Sequence, residues 1–270
     1  MPLRAGNTGI SGAYGGLIAG NAGVRNMLAA GAGAAATPAS LLEDAAGTAP
    51  SLVLYSDLGV SSSGGTITGW ADQSGNGNDF TVGDGNAQIN ATPAVDMDGT
   101  GDYLTSTFCP SNTAAKTIIF VVKHDAAGNT EYPVTSRAAS EGWMFYKTTG
   151  ELPRFALTGG RSFNPTDTLP TVTDWYSWAA THDGTGGNYG TACKVYANGS
   201  ALAGSANGTG TGSDGTNMFI GRVTTLRFPG EYAAVIVFPA MLNDAQVAAV
   251  HNVIRTHVAG YATPISLPSA

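Results

Sequence analysis

The chain has 270 residues, of which 43% are hydrophobic and only 11% are charged, and its formal net charge is −7. This length suits one all-β domain with extensions, and the 38 glycines favour turns. The 12 lysines and arginines form no basic cluster, and no apolar run reaches about 18 residues. The sequence therefore predicts neither nucleic-acid binding nor membrane insertion.

Residues 1–50 are rich in Gly and Ala and lack alternating apolar positions. We predict an irregular N-terminal arm with short helices, one of them in "TPASLLEDAA", and we expect no signal peptide. Such a segment buries too little apolar surface to order itself, so we expect a neighbouring subunit to hold it. The apolar side chains available for that contact are those of Leu17, Ile18, Val24, Met27 and Leu28.

Short strand-like runs follow one another from residue 51 to residue 262, separated by Gly, Asn and Asp. The clearest are "SLVLYSD", "TITGWAD", "KTIIFVVKHD", "WMFYKT", "PRFALT", "WYSWAATHD", "CKVYANG", "NMFIGRV" and "YAAVIVFPA". Two of them, "TIIFVVK" and "AAVIVF", are nearly continuous apolar runs, as is typical of strands buried between two sheets. The pattern predicts an all-β, antiparallel β-sandwich over residues 51–262.

A single long helix is predicted near the C-terminus, in "LNDAQVAAVHNVIRTHVAG". Asn243 and Gln246 have the spacing of a capping box. The positions Val247, Val250, Ile254 and Val258 form one apolar stripe. Residues 263–270 contain two prolines and are predicted to be a tail.

The order of these motifs resembles the laminin G-like, concanavalin A-like jelly-roll sandwich, in the form common in bacterial and phage surface proteins. The resemblance rests on "WADQSGNGNDF", "PAVDMDGTGDYL", "TIIFVVK", "WYSWAATHDG", "VYANGSAL", "FIGRV" and the final strand with its capped helix. It implies the fold but leaves the function open, because members bind sugars, bind proteins, hydrolyse glycans or serve as structural modules.

The segment "WADQSGNGNDF" begins like an EF-hand loop at Asp72, but the twelfth position is Gly83 where that loop needs a Glu. The resemblance implies that a calcium ion can still bind at the rim of the sandwich, with Asp72, Asp79, Asp98 and Asp102 as candidate oxygen donors. The favoured interpretation is that these side chains accept hydrogen bonds from their own backbone in Asx turns. No other cofactor is predicted, and Trp70 is expected in the core.

We predict that the chain is not an enzyme, because no strand carries the closely spaced carboxylates of a retaining glycanase. Asp96 and Asp98 are the single D-x-D pair, and the four histidines are scattered. Carbohydrate binding is expected instead in the loops that hold Arg161, Phe163, Arg222 and Arg227. Cys109 and Cys193 fit either two buried thiols or one disulfide.

These observations lead to the hypothesis of a virion structural protein of a tailed phage: a capsid decoration, a head fibre or a tail appendage. Its partners would be other virion subunits, further copies of itself and host-surface polysaccharide, and it would be located in the virion. The alternatives are a free extracellular lectin and, less favoured, a glycan hydrolase.

Overall fold

The computed structural model describes residues 36–136, 141–157, 161–185, 192–208 and 212–270. Its helices are α1 (Pro38–Ala46) and α2 (Asp244–Val258). The strands are β1 (Leu52–Tyr55), β2 (Val60–Ser63), β3 (Thr66–Trp70), β4 (Phe80–Asp84), β5 (Gln88–Ile89), β6 (Val95–Asp98), β7 (Tyr103–Ser106), β8 (Lys116–His124), β9 (Val134–Thr135), β10 (Trp143–Lys147), β11 (Pro153–Leu157), β12 (Arg161–Pro165), β13 (Tyr176–His182), β14 (Cys193–Ala197), β15 (Ser200–Ala201), β16 (Gly204–Asn207), β17 (Met218–Ile220), β18 (Arg222–Val223), β19 (Leu226–Arg227) and β20 (Pro229–Phe238).

The strands form two antiparallel layers. In the first sheet, β20 pairs with β1 and β6 on one side and with β8 on the other, and β13, β14 and β15 follow. In the second sheet the order is β4, β7, β17, β9, β10, β11, β12 and β16. Strand β3 joins the layers through its pairing with β4 and β5. The predicted antiparallel jelly-roll sandwich is confirmed.

The main core lies between the two sheets and is rich in aromatic rings. Phe120 of the first sheet meets Phe145 of the second edge to face, with ring centroids 5.0 Å apart. Trp70 is 1% exposed, and its indole Nε1 donates a hydrogen bond to the carbonyl oxygen of Tyr55 at 3.0 Å. The predicted core position of Trp70 is therefore confirmed.

A second apolar cluster covers the outer face of the first sheet. Both helices and the end of the chain pack there, and the predicted stripe of α2 is buried in it. The capping box of Asn243 and Gln246 is formed. Helix α1, which belongs to the predicted arm, also packs in this cluster, as do Ile265 and Leu267 of the predicted tail.

The predicted domain boundaries at residues 50 and 262 stay predictions. The five arm residues expected to make assembly contacts, Leu17, Ile18, Val24, Met27 and Leu28, lie outside the described residues. Cys109 and Cys193 are free thiols, so the disulfide left open by the sequence is not formed. In the described ranges, neither helix is long and apolar enough to cross a membrane.

Candidate functional site

The outer face of the second sheet carries partly exposed side chains, because its strands alternate between core and surface. On β7, Leu104 packs in the core and turns Tyr103 outward. On β17, Met218 and Ile220 pack in the core, which turns Phe219 outward. The strands are in register, with Thr105 opposite Phe219. Tyr103 and Phe219 therefore lie side by side, with ring centroids 6.2 Å apart.

Two arginines of the β18–β19 hairpin stack on these rings. The guanidinium carbon of Arg222 lies 4.5 Å from the ring centroid of Tyr103 and 5.2 Å from that of Phe219. That of Arg227 lies 4.8 Å from the Tyr103 centroid. Both Nε atoms donate to main-chain carbonyls, Arg222 to Thr224 at 2.7 Å and Arg227 to Gly101 at 3.2 Å. We call Tyr103, Phe219, Arg222 and Arg227 the Tyr103 platform.

The ring of Tyr103 is positioned by a glycine on the neighbouring strand. A Cβ atom built on Gly83 of β4 would lie 1.9 Å from Cε2 of Tyr103, so only a glycine leaves room for the ring at this place. The close approach fixes the ring across β4. The sequence segment "TVGDG" therefore supplies the surface on which the aromatic ring rests.

The Tyr103 platform has the chemistry of a carbohydrate site. The rings hold the two guanidinium groups at the surface, and guanidinium groups donate hydrogen bonds to hydroxyl or carboxylate oxygens. In the described part of the chain, neither Arg222 nor Arg227 forms an ion pair with a carboxylate. Their positive charge is therefore available to a ligand.

The structure separates the four residues predicted to bind glycans. Arg222 and Arg227 lie together on the Tyr103 platform. Phe163 is only 5% exposed and packs in the main core, because alternation along β12 turns it inward, so it is not available to a ligand. Arg161 lies on β12 opposite Leu157, and its side chain is outside the described part. Sequence reasoning missed Tyr103 and Phe219, although alternation in "DYLTS" and "NMFIG" was the available signal.

The four aspartates expected to bind calcium lie in two separate loops. Oδ1 of Asp72 accepts hydrogen bonds from the amides of Val53 and Ser74, and Oδ2 accepts one from the amide of Asn78. Asp79 in turn accepts a hydrogen bond from the Asp72 amide. Asp102 accepts from the amides of Asn86 and Asp98.

Asp98 accepts from the hydroxyl and amide of Thr100 and from the amide of Gly101, which lowers its pKa to about 2. No group of three or more His, Cys, Asp or Glu side chains able to hold a metal ion occurs in the residues described. Calcium binding stays a prediction, and no step of the function is derived from it.

A pair of carboxylates lies on the outer face of the first sheet, away from the helices. Asp96 on β6 is directly opposite Glu231 on β20. Glu231 accepts hydrogen bonds from Lys123 Nζ at 2.6 Å and from Asn90 Nδ2 at 2.5 Å. Burial, and then the negative charge of Glu231, raise the pKa of Asp96. Two neighbouring carboxylates, one of them with a raised pKa, are a pattern found in general acid–base chemistry.

The comparisons with known proteins agree with this fold. The family model of the concanavalin A-like lectin/glucanases superfamily matches residues 98–248. A search of curated protein sequences found no match.

Three solved structures are similar to the chain. The Trypanosoma rangeli sialidase in complex with sialic acid has a TM-score of 0.53 at 14% identity, covering 74% of this chain and 32% of that one. Botulinum neurotoxin type C has a TM-score of 0.58 at 15% identity, and the match covers 76% of this chain and 51% of that one. An arabinofuranosidase complexed with arabinofuranosyl-α-1,2-xylobiose has a TM-score of 0.59 at 14% identity, and the match covers 81% of this chain and 64% of that one. The chain thus spans less than two thirds of each of these proteins, and at such low identity the likeness shows the fold alone.

These neighbours correct one prediction. The sequence led us to expect that the chain is not an enzyme, because it carries no recognisable catalytic motif. Two of the neighbours, the sialidase and the arabinofuranosidase, are enzymes. The missing motif therefore does not exclude glycan hydrolysis. The pattern sought in the sequence was a pair of carboxylates on one strand, whereas Asp96 and Glu231 come from two strands far apart in the chain.

Proposed function

Since the chain belongs to the concanavalin A-like lectin/glucanase superfamily, we propose that it binds carbohydrate on the Tyr103 platform. The observation that carries this proposal is the pair of arginines stacked on Tyr103 with no carboxylate partner in the described chain. The two guanidinium groups, held on the tyrosine ring, would donate hydrogen bonds to the oxygens of one sugar unit. Of the similar structures, the sialidase is in complex with sialic acid, and botulinum neurotoxin type C interacts with two ganglioside molecules.

The test is binding of the full chain to a glycan array. We expect the wild type to bind at least one glycan and Tyr103→Ala to lose that binding by on the order of tenfold or more, because the stacking surface is gone. Arg255→Ala removes an arginine from helix α2, far from the platform in the fold, and is the matched control that should bind normally. A wild-type chain that binds no glycan, or equal binding by Tyr103→Ala, would overturn the proposal.

Gly83→Ala offers a sharper variant, because it replaces no residue of the Tyr103 platform. The new methyl group would occupy the position of the Tyr103 ring and displace it. We expect this variant to keep its fold, since the ring is at the surface, and to lose glycan binding as Tyr103→Ala does. Normal binding by Gly83→Ala would show that the ring position is not needed.

We also propose that the sandwich is displayed on a virion, with the arm of residues 1–50 as its tether to other virion subunits. The composition of the arm supports this, because a Gly- and Ala-rich segment with few apolar residues cannot form a core of its own. Multiple copies on one particle would raise the avidity of weak glycan contacts. A free extracellular lectin is the alternative.

Deletion of residues 1–35 tests the tether while it keeps helix α1, which packs on the sandwich. We expect the shortened chain to bind glycans normally but to be absent from purified particles. Equal amounts of full-length and shortened chain in particles would rule out this role of the arm.

Glycan hydrolysis is the second candidate function, and the carboxylate pair favours it. Residues directly opposite each other in an antiparallel pair have Cβ atoms about 5 Å apart. From such positions two side chains can bring their carboxyl groups to the separation of about 5 Å that suits a retaining glycosidase. Asp96 would donate the proton, and Glu231, held by Lys123, would act as the nucleophile. Release of reducing sugar that disappears in Asp96→Asn but persists in Asp98→Asn would establish it, and no release from any glycan bound on the array would exclude it.

A further inference from the structure

We propose that the ligand is a linear, carboxylate-bearing oligosaccharide that spans the Tyr103 platform and a second aromatic platform on the same sheet face. This inference rests on the proposed carbohydrate binding and extends it to the length and charge of the ligand. The second platform consists of Tyr132, Tyr146 and Arg154.

The second platform repeats the chemistry of the first. The rings of Tyr132 and Tyr146 are stacked, with centroids 5.6 Å apart and planes inclined by 25°. The guanidinium carbon of Arg154 lies 5.8 Å from the centroid of Tyr146, and its Nη1 donates to the Tyr146 hydroxyl at 3.4 Å. All three side chains are partly exposed. On β10, Phe145 and Lys147 are buried, and this alternation turns Tyr146 outward.

The strand register places both platforms in one row across the sheet. Thr105 of β7, Phe219 of β17, Thr135 of β9 and Met144 of β10 are opposite one another in succession. Tyr103 lies two residues before Thr105, and Tyr146 lies two residues after Met144. Because β7 and β10 run in opposite directions, these two steps lead to the same side of the row. The two tyrosines are therefore separated by three strand spacings, or about 14 Å.

This separation is longer than one sugar ring and requires a chain of several sugar units that runs across the strands. Occupying both platforms with one molecule makes the second contact intramolecular, and so raises affinity without new chemistry. Ligands too short to reach both platforms gain nothing from the second one. Affinity should therefore depend on ligand length.

The charge of this face selects acidic sugars. The chain as a whole carries a net charge of −7, yet the two platforms contribute three arginines. Like Arg222 and Arg227, Arg154 forms no ion pair with a carboxylate in the described residues. Asp84, which is opposite Tyr103 on β4, accepts a hydrogen bond from the Gly85 amide. Guanidinium groups at both ends of the row would pair with carboxylates on the ligand.

The experiment is calorimetric titration of the full chain with galacturonate oligomers of increasing length, from about two to about eight units, and with the methyl esters of the same oligomers. We expect the Kd of the wild type to fall by on the order of tenfold once the oligomer spans both platforms. Tyr146→Ala should lose this gain with length and keep its affinity for the shortest oligomers. Methyl esters, which lack the charge, should bind more weakly at every length.

Arg154→Met tests the second platform with little change to the surface, and thermal melting of each variant checks that the fold is intact. Affinity independent of length, or a Tyr146→Ala variant with the wild-type length dependence, would overturn the inference and leave the single-platform proposal standing. Equal affinity for the methyl esters and the free acids would overturn the claim that the ligand carries carboxylates. If no oligomer binds, this inference fails, whereas the proposed function is decided separately by the glycan array and its Tyr103→Ala variant.

Discussion

Asp72 shows how a residue that the sequence presents as a metal ligand can act as a structural hub. Its Oδ1 accepts from the amides of Val53 and Ser74 at 2.9 and 2.8 Å. Its Oδ2 accepts from the Ser74 hydroxyl at 2.7 Å and the Asn78 amide at 3.0 Å. The carboxylate thus ties the loop after β3 to the buried strand β1.

We predict that Asp72→Ala lowers the free energy of unfolding by about 2–3 kcal/mol, because the partly buried amides of Val53, Ser74 and Asn78 lose their acceptor. Asp72→Asn keeps one acceptor oxygen and should lose less. Asp79→Ala removes a single hydrogen bond, to the Asp72 amide, and should cost about 1 kcal/mol. Urea unfolding measures all three variants, and a loss in Asp72→Ala that is no larger than that in Asp79→Ala would contradict the hub role of Asp72.

The same variants test calcium. An ion that binds only the folded chain raises its stability with concentration. If the loop of Asp72 and Asp79 binds calcium, the melting temperature of the wild type rises in calcium over that in chelator, and this rise is lost in Asp72→Asn. Identical melting temperatures of the wild type in calcium and in chelator would contradict calcium binding at this loop.

Strand β10 ends in a lysine that is fully buried between acidic loops. Lys147 Nζ lies 3.4 Å from Glu131 Oε2 and 3.2 Å from Glu151 Oε2, and it donates to the carbonyl oxygen of Asn129 at 2.8 Å. Glu131 also contacts Nδ1 of His124. The end of the strand is therefore the point at which two loops are fixed to the sandwich.

We predict that Lys147→Met lowers the free energy of unfolding by about 3–5 kcal/mol, because two carboxylates lose their buried cation. Combining it with Glu131→Gln and Glu151→Gln should restore part of the loss, since no unpaired charge is then left. Lys194→Met breaks the exposed pair with Asp244, 2.7 Å apart, and should cost less than about 1 kcal/mol. Equal losses for the two lysine variants in urea unfolding would contradict this account.

The strands themselves were predictable and their partners were not. Each of the nine strand-like runs contains a strand, because alternation and apolar runs are local properties of the sequence. The pairing of Phe219 with Thr105 joins residues far apart in the chain, and no local pattern reports it. For the same reason Arg222 and Arg227 could be predicted as exposed cations, whereas the ring on which they stack could not.

At the scale of the whole molecule, the end of the chain belongs to the packing of the domain. Ile265 is 1% exposed and Leu267 is 5% exposed, both in the cluster under helix α2. The carbonyl oxygen of Pro268 accepts from Nε2 of His251 at 2.9 Å. The sequence assigns these residues to a tail, because two isolated apolar residues between prolines give no periodic pattern. The structure shows that they are part of the packing.

We predict that deletion of residues 263–270 destabilises the domain by roughly 3–6 kcal/mol, from two apolar side chains at about 1.5–3 kcal/mol each. Urea unfolding of the shortened chain measures this. Ser269→Ala, at an exposed position, is the control and should leave stability unchanged. Wild-type stability after the deletion would place the end of the domain at residue 262, as the sequence suggests.

Two buried histidines, His124 and His251, make the stability of the whole molecule depend on pH. Burial lowers the pKa of His251, whose Nδ1 lies 2.8 Å from the Ser177 hydroxyl, and burial also lowers the pKa of His124. Below the usual value of 6.5, the unfolded chain therefore takes up protons that the folded chain does not. Their contribution to stability is complete above pH 6.5 and is lost as the pH falls from there towards their lowered pKa values. We expect the free energy of unfolding in urea to decrease over this range, and the decrease to be smaller in His251→Gln. Stability that stays constant or rises on acidification below pH 6.5 would contradict the burial of neutral histidines.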